Sequence, residues 1–433
     1  MNLLEELKWR GLVAEDSSVS GNLNQLLNKE KTTFYVGTDP TGPSLHIGHL
    51  LAFIVARLLQ NHGHKPIILV GGATASLGDP SFKAEERKLL SMETIFENAE
   101  RIKKQLSHLI DFNSTEENAA IMVNNYDWMK DMTFLDFIRD IGKLLTVNYM
   151  TAKESVKRRL ERPDCGLSFT EFSYQLLQGY DFLVLNKKYN CKLQIGGSDQ
   201  FGNAMTGVEL IRKSGGNAEE CGVMTWPLVT RADGTKFGKS EGGKNIWLDR
   251  EMTSPYEFYQ FWLNQSDDDA EKFIKMFTLL DVKSIESLII EHHEAPHLRI
   301  LQKTLAYEVT KMVHSVEDAE FAVKASNALF DKNTTIDTFK GFNREMLLDI
   351  FKGVPQYNIR KSVVDSKPTF VDFANEITFA NSKGEARREI KNGAYSMNLR
   401  KVTIDDMVSS DDLINDEFII LKKGKRYSLV TVH

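Results

Sequence analysis

Two short apolar runs rich in β-branched and aromatic residues, Thr33-Phe-Tyr-Val-Gly37 and Pro66-Ile-Ile-Leu-Val70, flank a stretch from Leu50 to Gln60 whose apolar side chains recur at helical spacing. Strand, helix and strand within about 40 residues predict a βαβ unit and, by extension, a doubly wound parallel sheet of the Rossmann type. Cys191-Lys-Leu-Gln-Ile195, ended by Gly196-Gly197, reads as a later strand of the same sheet, and the chain from Glu85 to Asp181 reads as a mostly helical insertion. From Ser254 to Phe330 helical periodicity takes over with few β-branched runs, so a small all-α domain is expected. After the polar break Asp331-Lys-Asn-Thr-Thr335, mixed patterning leads to closing strands at Glu417–Leu421 and Arg426–Val432, an α+β end domain. The expected division is 1–245, 246–335 and 336–433, with 335–367 read either as linker or as part of the last domain.

Composition narrows the class. Of 433 residues, 42% are hydrophobic and 26% charged, the balance of a globular chain rather than a disordered or fibrous one. No apolar run approaches the roughly 20 residues of a membrane span, and the acidic start does not resemble a signal peptide, so a cytoplasmic protein without a membrane partner is expected. Three cysteines, Cys165, Cys191 and Cys221, are too few and too scattered for a disulfide framework or a zinc site, and no metal ligand set is assigned. The net charge of −6 excludes a uniformly basic nucleic-acid coat. It hides a local excess: from Lys383 to Lys401 six basic side chains face two acidic ones, and Lys422-Lys-Gly-Lys-Arg426 follows. Such an end can meet phosphate even where the average charge cannot.

The candidate chemistry begins at Tyr35-Val-Gly-Thr-Asp-Pro-Thr-Gly-Pro-Ser-Leu-His-Ile-Gly-His49, which leaves a strand, crosses a Gly/Pro loop and enters a helix near Ser44. His46 and His49 share one face of the first turn, and Gly48 between them removes bulk. A helix start suits phosphate, and two imidazoles there can donate to a phosphate whose charge grows in a transition state. The alternatives are simple capping histidines, or a metal pair lacking its third ligand. Lys236-Phe-Gly-Lys-Ser240, preceded by Arg231-Ala-Asp-Gly234, puts two lysines in a Gly-containing stretch. Without the upstream glycines of a P-loop it is a weak signal on its own, and it gains force beside the histidine motif.

Together these motifs resemble the two signatures of class I aminoacyl-tRNA synthetases, the second in the form found in bacterial tyrosyl-tRNA synthetases. Gly71–Pro80, Asn124-Asn-Tyr-Asp-Trp128, Ser173–Asp181, Gln194-Ile-Gly-Gly-Ser-Asp-Gln200 and Ser382–Arg388 are similar to that family in the same order, so the likeness spans essentially the whole chain. The resemblance implies catalysis by His46, His49, Lys236 and Lys239. It implies a tyrosine site of Tyr35 and Asp181 at the phenol, Asp79, Tyr174 and Gln178 at the ammonium, and Gln194. On the nucleotide side it implies Gly37, Asp39, Thr41, Gly48, Gly197, Asp199 and Gln200, with Lys83 and Arg87 as further pyrophosphate contacts. ATP with Mg2+ as substrate, tRNA as second substrate and a homodimer follow from it too.

The residues lend this independent weight. Tyr174, Gln178 and Asp181 fall at i, i+4 and i+7 on a helix whose flanks are apolar, and polar groups on a buried helix need a partner that a polar ligand can supply. In the last region Arg387 and Lys391 stand at i, i+4 with Arg388 alongside, a face suited to tRNA phosphate or simply a solvated helix. Tryptophanyl-tRNA synthetase, a small-molecule nucleotidyltransferase and a non-catalytic RNA-binding relative remain the alternatives. Asp181 after Gln178, the two extra domains and the intact signatures, respectively, argue against them.

Overall fold

The structure is a computed structural model that describes residues 1–14, 22–77, 90–160, 167–235, 237–238, 243–331 and 334–433. It divides into two compact units, one formed by Met1–Thr253 with Phe261–Val316 and the other by Ser254–Gln260 with Glu317–His433.

The first unit starts with α1 (Leu3–Trp9), whose cap Asn2 accepts from the Glu5 amide at 2.9 Å. Its five-stranded sheet contains β1 (Thr33–Thr38), β2 (Lys65–Val70), β3 (Ile121–Asn124), β4 (Cys191–Gly197) and β5 (Gly222–Trp226). The strand order is β3-β2-β1-β4-β5 and every pairing is parallel. α2 (Ile47–Asn61) follows β1, α3 (Met92–Leu109) follows β2, α4 (Phe169–Tyr189) precedes β4 and α5 (Phe201–Lys213) follows it. β2 is buried from Pro66 to Val70 and β1 from Phe34 to Val36, because helices cover a parallel sheet on both faces, which is why they read as continuous apolar runs. Order reverses between β2-β1 and β1-β4, so the carboxyl ends of β1 and β4 form the crevice where such sheets bind ligands.

α4 begins with a reciprocal cap, Ser168 Oγ accepting from the Glu171 amide and Glu171 Oε2 from the Ser168 amide, and ends at Asn190 in the left-handed region. It lies close against α5: a Cβ added to Gly207 would stand 2.7 Å from Phe182 Cβ. Phe182, Leu183, Leu185, Leu210 and Ile211 bury this face against Tyr35, Ile67 and Cys191, each large apolar side chain contributing about 1.5–3 kcal/mol. The core therefore ends directly under the ligand crevice. α6 (Asp267–Phe277), α7 (Val282–Glu294) and α8 (Ile300–Val313) complete the unit.

In the second unit, α9 (Val316–Phe330) leads through short helices to a sheet of β6 (Gln356–Ile359), β7 (Tyr395–Met397), β8 (Arg400–Lys401), β9 (Phe418–Lys423) and β10 (Arg426–Val432), in the order β6-β10-β9-β7-β8. α10 (Phe370–Glu376) and α11 (Lys383–Lys391) accompany the sheet, whose core includes Phe370, Phe373, Tyr395, Leu421 and Val430.

The expected α/β, all-helical and α+β sequence of regions is present, with corrections to its detail. The stretch 85–181 is not purely an insertion, because it contributes edge strand β3, only four residues long and half-buried, too short for periodicity to reveal. β6, β7 and β8 are as short or shorter, and β5, five residues and wholly buried, was not expected either. The signature helix begins at Ile47 rather than near Ser44, with His46 as its cap. Among the described residues no helix is long and apolar enough to cross a membrane.

Candidate active site

A cavity of 460 Å³ opens at the carboxyl ends of β1 and β4. Of the expected residues, Tyr35, Gly37, Asp39, Thr41, His46, Gly48, His49, Tyr174, Gln178, Asp181, Gln194, Gly197, Asp199 and Gln200 all line it. Asp79, Lys83, Arg87, Lys236 and Lys239 lie outside the described residues.

At its floor the Asp181 carboxylate is almost fully buried and held from two sides. Trp128 Nε1 donates to Oδ1 at 2.9 Å and Asn125 Nδ2 to Oδ2 at 3.1 Å. Burial pushes the Asp181 carboxyl up to about 7; those two hydrogen bonds pull against the rise and the Asp39 charge adds to it. Tyr35, on β1 opposite Gln194 of β4, is also buried; its hydroxyl and Gln194 Oε1 have no partner among the described residues. Burial, then the nearby Asp181 charge, raises the Tyr35 phenol well above its usual range, so it remains a donor. Buried polar atoms left without partners are costly, and a bound hydroxyl or amine would supply them.

From Asp181 a chain of hydrogen bonds runs up the cavity wall. Asn125 Nδ2 also donates to Thr74 Oγ1 at 3.0 Å, Thr74 Oγ1 donates to Asp39 Oδ1 at 2.8 Å, and the Tyr174 hydroxyl donates to Asp39 Oδ2 at 2.8 Å. Asp39 and Tyr174, assigned by resemblance to nucleotide and ammonium, thus meet each other directly. The glycines beside β2 exist for this wall: a Cβ on Gly71 would collide with Asp39 and Thr74, and one on Gly72 with Asn124. Gln178 Oε1 accepts from Asn203 Nδ2 at 2.9 Å, which turns the Gln178 amide nitrogen toward other partners.

At the upper end, His46 Nδ1 accepts from the Gly48 amide at 3.0 Å and His49 Nδ1 accepts from the His46 amide at 3.3 Å. The rings stack at 3.9 Å. An accepting Nδ1 puts the proton of a neutral imidazole on Nε2, so the pair presents two Nε2–H donors. Burial lowers the His46 pKa, which favours that neutral form. Gly48 serves the ring as much as any ligand: a Cβ there would lie 2.7 Å from His46 Cε1. The segment just after the lysine motif returns to this helix start, with Ile47 N donating to Ile246 O at 3.0 Å and Leu248 N to Leu45 O at 2.8 Å. Gln200 Nε2 donates to Asp199 Oδ2 at 3.1 Å beside β4.

Thr74, Asn125, Trp128, Asn203 and the 246–248 segment carry the site without having been singled out. Thr74, Asn125 and Trp128 fall inside stretches that already resembled the family, which was the available signal. On the second unit Arg387, Arg388 and Lys391 are exposed on α11. Among the described residues no cluster of three or more His, Cys, Asp or Glu side chains could hold a metal.

The parallel sheet thus has its ligand crevice at the switch point, with a histidine pair at the start of α2 and buried or partly buried carboxylates beneath. A family model for tRNA synthetases class I (W and Y) matches residues 27–331, and one for the tyrosine–tRNA ligase SYY-like C-terminal domain matches residues 347–430. The chain is 54% identical to the tyrosine–tRNA ligase of Flavobacterium johnsoniae over 98% of both chains, and 52% identical to that of Porphyromonas gingivalis over 100% of both. A C-terminally truncated mitochondrial tyrosyl-tRNA synthetase of Aspergillus nidulans superposes with a TM-score of 0.67 at 30% identity, covering 76% of this chain and 94% of that one. The chain belongs to the class I tRNA synthetases and, within them, to the tyrosine–tRNA ligase family.

Proposed function

We propose that this chain activates L-tyrosine with ATP and transfers it to the 3′ end of its tRNA. The observation that carries the reading is the buried Tyr35 hydroxyl, unpartnered among the described residues, in the same cavity as the doubly held Asp181 carboxylate. A phenol bound there satisfies groups that phenylalanine would leave unpaired, so the pocket selects for the hydroxyl. Tyr174, Gln178, Gln194 and Asp79 serve the rest of the amino acid.

The tyrosine carboxylate attacks the α-phosphorus of ATP in line and pyrophosphate leaves; positioning and charge stabilisation suffice. The Nε2–H groups of His46 and His49 donate to phosphate oxygens as charge grows there, and Lys236 and Lys239, with Lys83 and Arg87, neutralise the leaving pyrophosphate. Gly37, Thr41, Gly48 and Gly197 let the nucleotide approach the backbone, while Asp39, Asp199 and Gln200 meet its polar groups. Mg2+ enters with ATP, held by its phosphates and water.

Residues 246–335 would face the anticodon side of the tRNA and 336–433 would bind it through Arg387, Arg388 and Lys391. The exposed apolar side chains Phe134, Leu135, Ile138 and Val147 support a homodimer formed through the 126–151 region, since such surface is costly to leave in water. A cytoplasmic location suits these partners.

Amino-acid-dependent ATP–pyrophosphate exchange tests the reading. Exchange with tyrosine alone, lost in His46→Ala, is expected. Exchange with tryptophan would overturn the pocket assignment, and none with any amino acid would overturn the reaction.

A further inference from the structure

The lysine motif carries an aromatic residue between its two cations, and that residue, itself half-buried, packs against the protein core. The ring of Phe237 lies 4.6 Å from Phe273 and 5.3 Å from Phe277, both on α6, and 5.5 and 5.6 Å from Trp262 and Phe261 (centroid distances). Trp262, Phe273 and Phe277 are wholly buried. Two polar tethers bind the same loop to the same helix: Lys272 Nζ donates to Thr230 O at 2.8 Å and the Ala232 amide donates to Asp269 Oδ1 at 2.8 Å. α6 is itself immobilised at its far end, where buried Arg10 donates to the carbonyls of Lys275, Thr278 and Leu280. Directly after the seated ring, Gly238 has φ +123°, a conformation other residues rarely adopt.

We propose that Phe237 is a positioning residue for amino-acid activation: seated on Phe273 and Phe277, it sets where the chain bearing Lys236 and Lys239 stands relative to the phosphates. Lys236 is one residue before the anchor and Lys239 two after it. Misplacing a charge-stabilising group by about 1 Å costs on the order of 10²-fold in rate. A ring serving only as core filling would lower stability on removal without singling out the nucleotide step. The inference rests on the function proposed above and adds a determinant to it: the helical region through α6, not the sheet alone, aims the second motif.

The test compares Phe237→Ala and Phe237→Leu in the full chain by tyrosine-dependent pyrophosphate exchange and by equilibrium tyrosine binding. The expected result is a fall in exchange kcat on the order of 10²-fold for the alanine variant. The tyrosine Kd should stay within about twofold of wild type, and leucine should recover most of the loss. An alanine variant that exchanges at the wild-type rate, or loses tyrosine affinity in step with rate, would overturn the proposal. If the alanine variant does not fold, Lys272→Met, on an exposed side chain, removes one tether without touching the core. A several-fold fall in the same rate with tyrosine binding intact is then expected, and an unchanged rate overturns the proposal. Wild-type protein silent with tyrosine would instead overturn the functional reading itself.

Discussion

The indole of Trp128 donates to the buried carboxylate of Asp181 at 2.9 Å, joining the segment after edge strand β3 to a helix 53 residues further along the chain. With Asn125 on the other oxygen, it holds the carboxylate in one orientation beneath the cavity. Burial raises this group to about 7, and the two donors oppose the rise. Trp128→Phe removes one of them, so tyrosine affinity should fall by about 1–3 kcal/mol. The midpoint of its pH dependence should also move above about 7. Isothermal titration across pH 5.5–8.5 checks both; an unmoved midpoint refutes the coupling.

Asp181 also shapes stability. In the folded chain it keeps its proton to about 7, whereas an unfolded chain gives it up near 3.8. The native state therefore binds more protons in that window, and this residue withdraws stability as pH rises from about 4 to 7. Asp181→Asn should be more resistant to urea than wild type at pH 7 and closer to it at pH 4.

His64 acts in the opposite pH direction. Its Nδ1 accepts from the Thr32 amide at 3.1 Å, its Nε2 lies 3.2 Å from Leu27 O, and burial lowers its pKa to about 4 against that second contact. The unfolded chain takes up a proton near 6.5 while the folded chain does not, so this contribution is complete above 6.5 and is lost as pH falls toward 4. About 3 kcal/mol is at stake. In His64→Gln the acid limb of a stability–pH curve between 6.5 and 4 should flatten.

Gly48→Ala should injure catalysis without touching tyrosine binding. The added methyl meets the His46 ring at 2.7–2.9 Å, which is repaired only by turning the imidazole away from its bond to the Gly48 amide. A fall in exchange kcat of roughly tenfold or more with unchanged tyrosine Kd is expected, because the proposed function assigns His46 to the phosphates and not to the tyrosine.

Arg10→Met should cost about 3 kcal/mol or more, because three carbonyls after and within the last turn of α6 lose a charged donor in a buried place. Differential scanning calorimetry reads the loss directly.

On the second unit, Arg387→Ala with Lys391→Ala should weaken tRNA binding and lower the slope of log K against log salt by about one for each phosphate contact removed. Exchange with tyrosine should stay at the wild-type rate. An unchanged salt slope would remove α11 from the tRNA surface.

What neighbouring residues encode can be read from the chain alone. β1, α2 and β2 were legible because a buried parallel strand is continuously apolar and a covering helix repeats every 3.6 residues. The histidine pair was legible because three positions along a helix start are fixed neighbours. The stripe of Tyr174, Gln178 and Asp181 was legible for the same reason. That Asp181 is held by Trp128 and Asn125, that Tyr174 reaches Asp39 across 135 positions, and that Phe237 packs on α6 emerge in the folded chain alone. Such pairings depend on how strands order and helices cover them, which no local pattern encodes. The same holds for the state of Asp181, whose charge is governed by the burial that folding imposes around it.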